Sequence, residues 1–129
     1  MKNLFSLIAC ACSAFVIGCT QDPFVGYWEG QLNPSANLTI ESDNHHHDYV
    51  GHGNIYFTLQ DEGYVLCTLE MAGYKSGTNE MTTSFRLFKD SVGCPDGVVD
   101  NIKCNVYEES DTMTCKIPGG TIIAYYKVE

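Results

Sequence analysis

Positive charge is scarce in this chain: 7 Lys and Arg stand against 16 Asp and Glu, a formal net charge of −9 over 129 residues. Phosphate backbones are held by basic surfaces, so nucleic acid is an unsuitable partner. Outside the first 18 residues no segment keeps a 3.6-residue apolar period, which argues against a helical domain. There is no G-x-S-x-G, P-loop, Rossmann or H-E-x-x-H pattern, so no catalytic residue can be assigned. No C-x-x-C pair occurs, which removes a zinc ribbon or a thioredoxin-like motif. The one long uncharged apolar run, residues 4–17, is short for a membrane span.

What that run does suit is a secretory leader over residues 1–18, with Lys2 as its positive n-region. Val16-Ile17-Gly18-Cys19 follows, and resembles the bacterial lipobox, in which a small residue precedes a cysteine that is diacylated and becomes the N-terminus. Leu7-Ile8-Ala9-Cys10 fits the same local pattern but leaves too short an apolar region before it. The resemblance implies lipidation at Cys19 and a membrane contact through the lipid, with residues 19–23 as a short tether. Thr20 is not the aspartate of an inner-membrane retention signal, so in a two-membrane envelope the outer membrane is favoured. Loss of Lys2 with the leader takes the mature chain to −10.

Seven cysteines then sort by position. Cys10 and Cys12 leave with the leader and Cys19 carries the lipid. Cys67, Cys94, Cys104 and Cys115 remain, an even set in an exported domain, with three possible pairings. Cys104 and Cys115 lie equally far from the centre of the 108–111 turn, so they face each other across a hairpin on the same face. That favours Cys104–Cys115 and, by elimination, Cys67–Cys94.

Residues 24–129 read as one all-β domain. In residues 24–32 Phe24, Gly26, Trp28, Gly30 and Leu32 share one parity, which puts the aromatic and aliphatic side chains on a single strand face. Gly26 leaves room for the Trp28 indole, and Trp28 is expected to plug one end of a closed sheet. Alternation then recurs through Leu38 and Ile40, Ile55 to Leu59, Val65 to Met71, Met81 to Leu87, Ile102 to Val106, Met113 to Ile117, and a last strand over 121–128 with Ile122 and Ala124 inward. Gly51 and Gly53 suggest a bend or bulge, 73–79 a flexible turn, and Asn33-Pro34-Ser35, Asp61-Glu62-Gly63 and Pro118-Gly119-Gly120 tight turns. Tyr27, Tyr56, Phe88 and Tyr125 fall on the outward parity. Eight short strands with regular turns predict an eight-stranded antiparallel meander barrel; a two-sheet β-sandwich is the alternative.

Phe24-Val25-Gly26-Tyr27-Trp28 resembles the F-x-G-x-W opening of the calycins, the group of lipocalins, fatty-acid-binding proteins and avidins. That resemblance implies a meander barrel with the tryptophan at its base. A lipocalin T-D-Y segment is lacking. The overall build (lipidated, acidic, disulfide-bonded, β-barrelled) also looks like the bacterial lipoprotein inhibitors of lysozyme, which implies an inhibitor or immunity-type protein against a cationic enzyme.

All 4 histidines lie between His45 and His52. His45, His47 and His52, with Asp43 and Asp48 beside them, are candidate ligands for zinc or copper; a solvated polar loop is the other reading. The acid pairs Asp61-Glu62 and Glu108-Glu109 sit at hairpin tips, where adjacent side chains point apart and serve solubility. The function expected from these features is non-enzymatic binding of a protein partner or a small apolar ligand at the envelope. An internal void would favour the ligand, and a filled lumen the protein.

Overall fold

A computed structural model describes residues 22–32, 36–43, 45–59, 63–89 and 92–128. The leader, Cys19, the Asn33-Pro34-Ser35 turn and the Asp61-Glu62 pair lie outside the described residues.

The chain forms β1 (Gly26–Gly30), β2 (Asn37–Ser42), β3 (Tyr49–Leu59), β4 (Gly63–Gly77), β5 (Glu80–Leu87), β6 (Gly97–Tyr107), β7 (Thr112–Lys116) and β8 (Ile122–Val128). Each strand pairs antiparallel with the next, and β1 pairs with β8, so the sheet closes into an eight-stranded meander barrel. Among the described residues there is no helix. Closure satisfies the backbone groups that a sandwich would leave on its edges.

The alternation read from the sequence is the core of this barrel. Phe24, Trp28, Leu38, Ile40, Ile55, Leu69, Met81, Phe85, Ile102 and Met113 are buried and form one cluster. Trp28 is 1% exposed, as its place at the end of the barrel requires. Its indole Nε1 donates to Phe24 O at 3.0 Å, and the Lys127 ammonium lies 5.4 Å from its ring centre. Gly26 has φ +146° and a Cβ there would meet Lys127 Cε at 2.8 Å, so glycine lets that lysine lie across the strand.

Both disulfides are present. Cys104 and Cys115 are directly opposed on β6 and β7 with Cα atoms 4.0 Å apart. Cys67 and Cys94, 27 residues apart, tie the segment before β6 to β4.

Four local expectations are corrected. Leu32 lies past the end of β1 and is fully exposed rather than on the inner face. Gly51 and Gly53 sit in unbroken register with both neighbouring strands, so neither marks a bulge. They are glycines because the strands approach closely: a Cβ on Gly53 would lie 1.9 Å from Asn37 O. Residues 73–77 continue β4, and the turn is only Thr78 and Asn79. Finally, the parity of β8 is reversed. Tyr125 points inward and is fully buried, Ile123 is packed against the core, and Ile122 is exposed. Both parities of this strand are apolar, so periodicity could not choose between them. Pairing with β1 and β7 chooses: Tyr125 stands opposite Gly30 and Met113, both buried on the inner face.

Candidate functional site

Adjacent strands run in opposite directions, so the barrel has two distinct ends. At one end lie residues 22–25, the 43–48 loop, the 78–79 turn and the 108–111 turn. Here Tyr49 donates its hydroxyl to both Asp22 carboxylate oxygens, at 2.8 and 2.7 Å. Phe24 N donates to Asp22 Oδ1 at 2.9 Å, and Lys75 Nζ stands 3.4 Å from Oδ2. Lys127 Nζ donates to Pro23 O at 3.4 Å. This end is therefore strapped shut over Trp28. Burial pushes the Asp22 carboxyl up, but the Tyr49 hydroxyl, the Phe24 amide and Lys75 together outweigh it and hold it below its ordinary value.

The opposite end is hollow. A cavity of about 640 Å³ opens there, walled by Ile55, Phe57, Phe85, Leu87, Val99 and Ile123, with Tyr125 also lining it. The sequence placed Ile55, Phe57 and Phe85 on the inner face, and these side chains make the wall. Val99 reaches it because the β5–β6 register shifts between Thr83 and Phe85, which sequence alternation cannot reveal. Every residue lining the cavity is uncharged. Leu32 and Ile122, both exposed, belong to its rim. Its size falls among sites that enclose small organic ligands. Chemically it can desolvate an apolar body, at about 25 cal/mol for each Å² removed from water.

Tyr125 carries the one polar atom that stands out. Its hydroxyl is buried and has no hydrogen-bond partner among the described residues. Burial pushes that hydroxyl far above the usual phenol value, so it stays protonated.

The histidines are dispersed. His45 and His46 are exposed in the 43–48 loop, and His47 packs against the Tyr74 ring at 5.2 Å, with Nδ1 3.8 Å from Asp43 Oδ2. His52 lies on the outer face of β3, between Thr39 and Glu70. His47 and His52 border one shallow exterior hollow, but among the described residues no three His, Cys, Asp or Glu side chains gather closely enough to hold a metal. The loop is ordered by other means: Asp43 Oδ1 accepts from His45 N at 3.1 Å, and Asp48 Oδ2 accepts from Lys75 N at 2.8 Å. The amide of His45 leads the contacts that hold the Asp43 carboxyl below its ordinary value.

Of the expected outward aromatics, Tyr27 is exposed, and Tyr56 meets Tyr64 edge-on at 4.5 Å as a cross-strand pair. Phe88 is half-buried, with the Arg86 guanidinium 5.3 Å from its ring centre.

No protein-family model, curated protein or solved structure matches the chain. The barrel is consistent with the calycin-like architecture that the F-x-G-x-W stretch implies.

Proposed function

We propose that the chain is an exported envelope lipoprotein, acylated at Cys19, whose barrel binds a small apolar ligand without transforming it. The cavity opposite Trp28 carries this reading. A barrel built only for stability has no use for an unfilled apolar hollow, because interiors pack to high density and voids destabilise them. A protein partner would instead need a large exposed patch, whereas the wall here is concave and apolar, as small-molecule sites are. The leader at residues 1–18 and the lipobox support the envelope address, with an outer membrane favoured where there are two.

Filling the cavity tests the proposal. Val99→Trp places an indole into the wall and is expected to abolish binding of an environment-sensitive apolar dye while circular dichroism stays unchanged. Undiminished dye binding by a folded Val99→Trp variant would remove the cavity as the binding site. The second reading, an inhibitor of a cationic enzyme such as lysozyme, is supported by the −9 net charge and by the disulfide-bonded barrel that the resemblance to lysozyme inhibitors implies. It calls for binding that weakens as salt rises.

A further inference from the structure

Independently of any ligand, we infer that two copies of this chain pack together through the outer face of β8, on a twofold axis at Ala124 that sets Glu29 of each copy against Lys116 of the other. An antiparallel strand with one face on the core and the other in water alternates apolar with polar residues. β5 and β6 obey this, with Thr82, Ser84 and Arg86, and Lys103 and Asn105, on the outside. β8 does not. Its inner face carries Ile123 and Tyr125, yet its outer face reads Ile122, Ala124, Tyr126, Val128. Ile122 is 62%, Tyr126 51% and Val128 38% exposed. Exposed Tyr27 widens the patch beside Val128, and exposed Tyr107 lies across Thr112 from Tyr126. A contiguous apolar patch of this kind marks an interaction surface, and tyrosines are favoured anchors in one.

Charge decides what covers it. The chain is at −9, so most faces of two copies repel each other. On the outer faces of β1, β7 and β8, however, the charged side chains are one acid, Glu29, and one base, Lys116. Glu29 stands beside Tyr126 on the β1 side, and Lys116 beside Ile122 on the β7 side. They occupy opposite corners of the patch, equally far along β8 from Ala124. A twofold contact needs a surface complementary to itself. An axis in the contact plane, passing Ala124 across the Glu29–Lys116 diagonal, superposes the two corners, so both ion pairs form at once. The small Ala124 at the centre lets the two sheets approach, and Ile122 and Tyr126 fill the space around it. A cationic partner would use only the acid here, and an anionic lipid surface only the base; a second copy uses both. The face is smaller than the roughly 20–30 residues a side of a standard complex, so the dimer has a Kd on the order of 10 μM.

The test uses the full chain in a mild detergent, by sedimentation from about 1 to 300 μM, a range that brackets the expected Kd. Wild-type protein should pass from monomer to dimer across it. A carbodiimide, which joins a carboxylate to an amine only where they touch, should link Glu29 to Lys116. An equal mixture of unlabelled and ¹⁵N-labelled chains should show that link between differently labelled copies by mass spectrometry. Tyr126→Ser should weaken the dimer about thirtyfold, the size of one aromatic hot spot. Glu29→Lys should weaken it about tenfold by setting like charges together, and Glu29→Lys with Lys116→Glu should restore it. Wild-type protein that stays monomeric to the highest concentration overturns the inference. So does a dimer in which the Glu29–Lys116 link forms only within one chain or not at all, or one that the double exchange fails to rescue. The wild-type sedimentation and cross-link need no variant to fold.

Discussion

Asp22 shows how much one side chain can organise. It is the first described residue, yet it gathers the Tyr49 hydroxyl, the Phe24 amide and Lys75 around a single carboxylate. Since its folded pKa lies below the ordinary 3.8, its contribution is present above that value and is lost as pH falls through the folded pKa. Wild-type protein should therefore lose melting temperature on acidification below about pH 4. Asp22→Asn should melt lower at neutral pH, by the equivalent of about 1.5 kcal/mol for a charge-assisted hydrogen bond, and should lose less on acidification. Thermal melts across the acid range check this, and identical acid sensitivity in the two proteins would remove Asp22 as a cause. Nothing in the sequence announced this residue. An aspartate before a proline reads as tether, and Tyr49 comes within 2.8 Å only because β3 begins at the same barrel end. Gly53 is the converse: a glycine that reads as a bend is required by the approach of Asn37 O.

At the scale of elements, hairpins were the most legible. Cys104 and Cys115 are symmetric about a short turn, and antiparallel pairing makes such residues direct neighbours. The Cys67–Cys94 bridge followed only by elimination, and its structural reason lies in three dimensions: it fastens the segment before β6 across β5 to β4. Closing the longer loop restricts the unfolded chain more. Replacing Cys67 and Cys94 together by alanine should cost about 3.5 kcal/mol, against about 3 for Cys104 and Cys115. Urea unfolding of the two double variants compares them directly. A clearly smaller loss for the Cys67 and Cys94 pair would show that strain or residual unfolded structure, rather than loop length, sets the contribution. β8 shows where alternation stops being informative. Ile122, Ile123, Ala124, Tyr125 and Tyr126 are apolar or aromatic on both faces, so only the register with β1 and β7 decides which face is inner. The candidate site depended on this strand, which is why Tyr125 was read as outward.

At the scale of the molecule, the closed and hollow ends have different surroundings. The described chain begins at Asp22, three positions after Cys19, and enters at the end that Trp28 plugs. With the proposed lipid on Cys19, the closed end rests on the membrane and the cavity opens away from it. β3 has 11 residues. At about 3.3 Å each and a tilt near 40°, the two ends are roughly 25–30 Å apart. Vesicles containing brominated lipid should therefore quench Trp28 in the acylated chain. They should leave unquenched a tryptophan introduced near the mouth by Tyr64→Trp in a Trp28→Phe background. Stronger quenching of the mouth tryptophan would reverse the proposed orientation.

The sequence alone determined the strand count and chain-order pairing, most of the inner face and, by symmetry and elimination, both bridges; the pairing of β1 with β8 decided for a barrel over a sandwich. Alternation and turn spacing are local signals, and a meander pairs neighbours in chain order, so local signals suffice. The resemblance to a leader and a lipobox, on which the proposed envelope address rests, is likewise read from linear order. Only the tertiary structure decided that the barrel is plugged at one end and hollow at the other, that His52 lies on the outer face of β3 rather than in the 43–48 loop, and that Tyr125 faces inward. Those outcomes depend on register, on close approach at Gly53, and on side chains distant in sequence meeting across a closed sheet. No period along the chain encodes them.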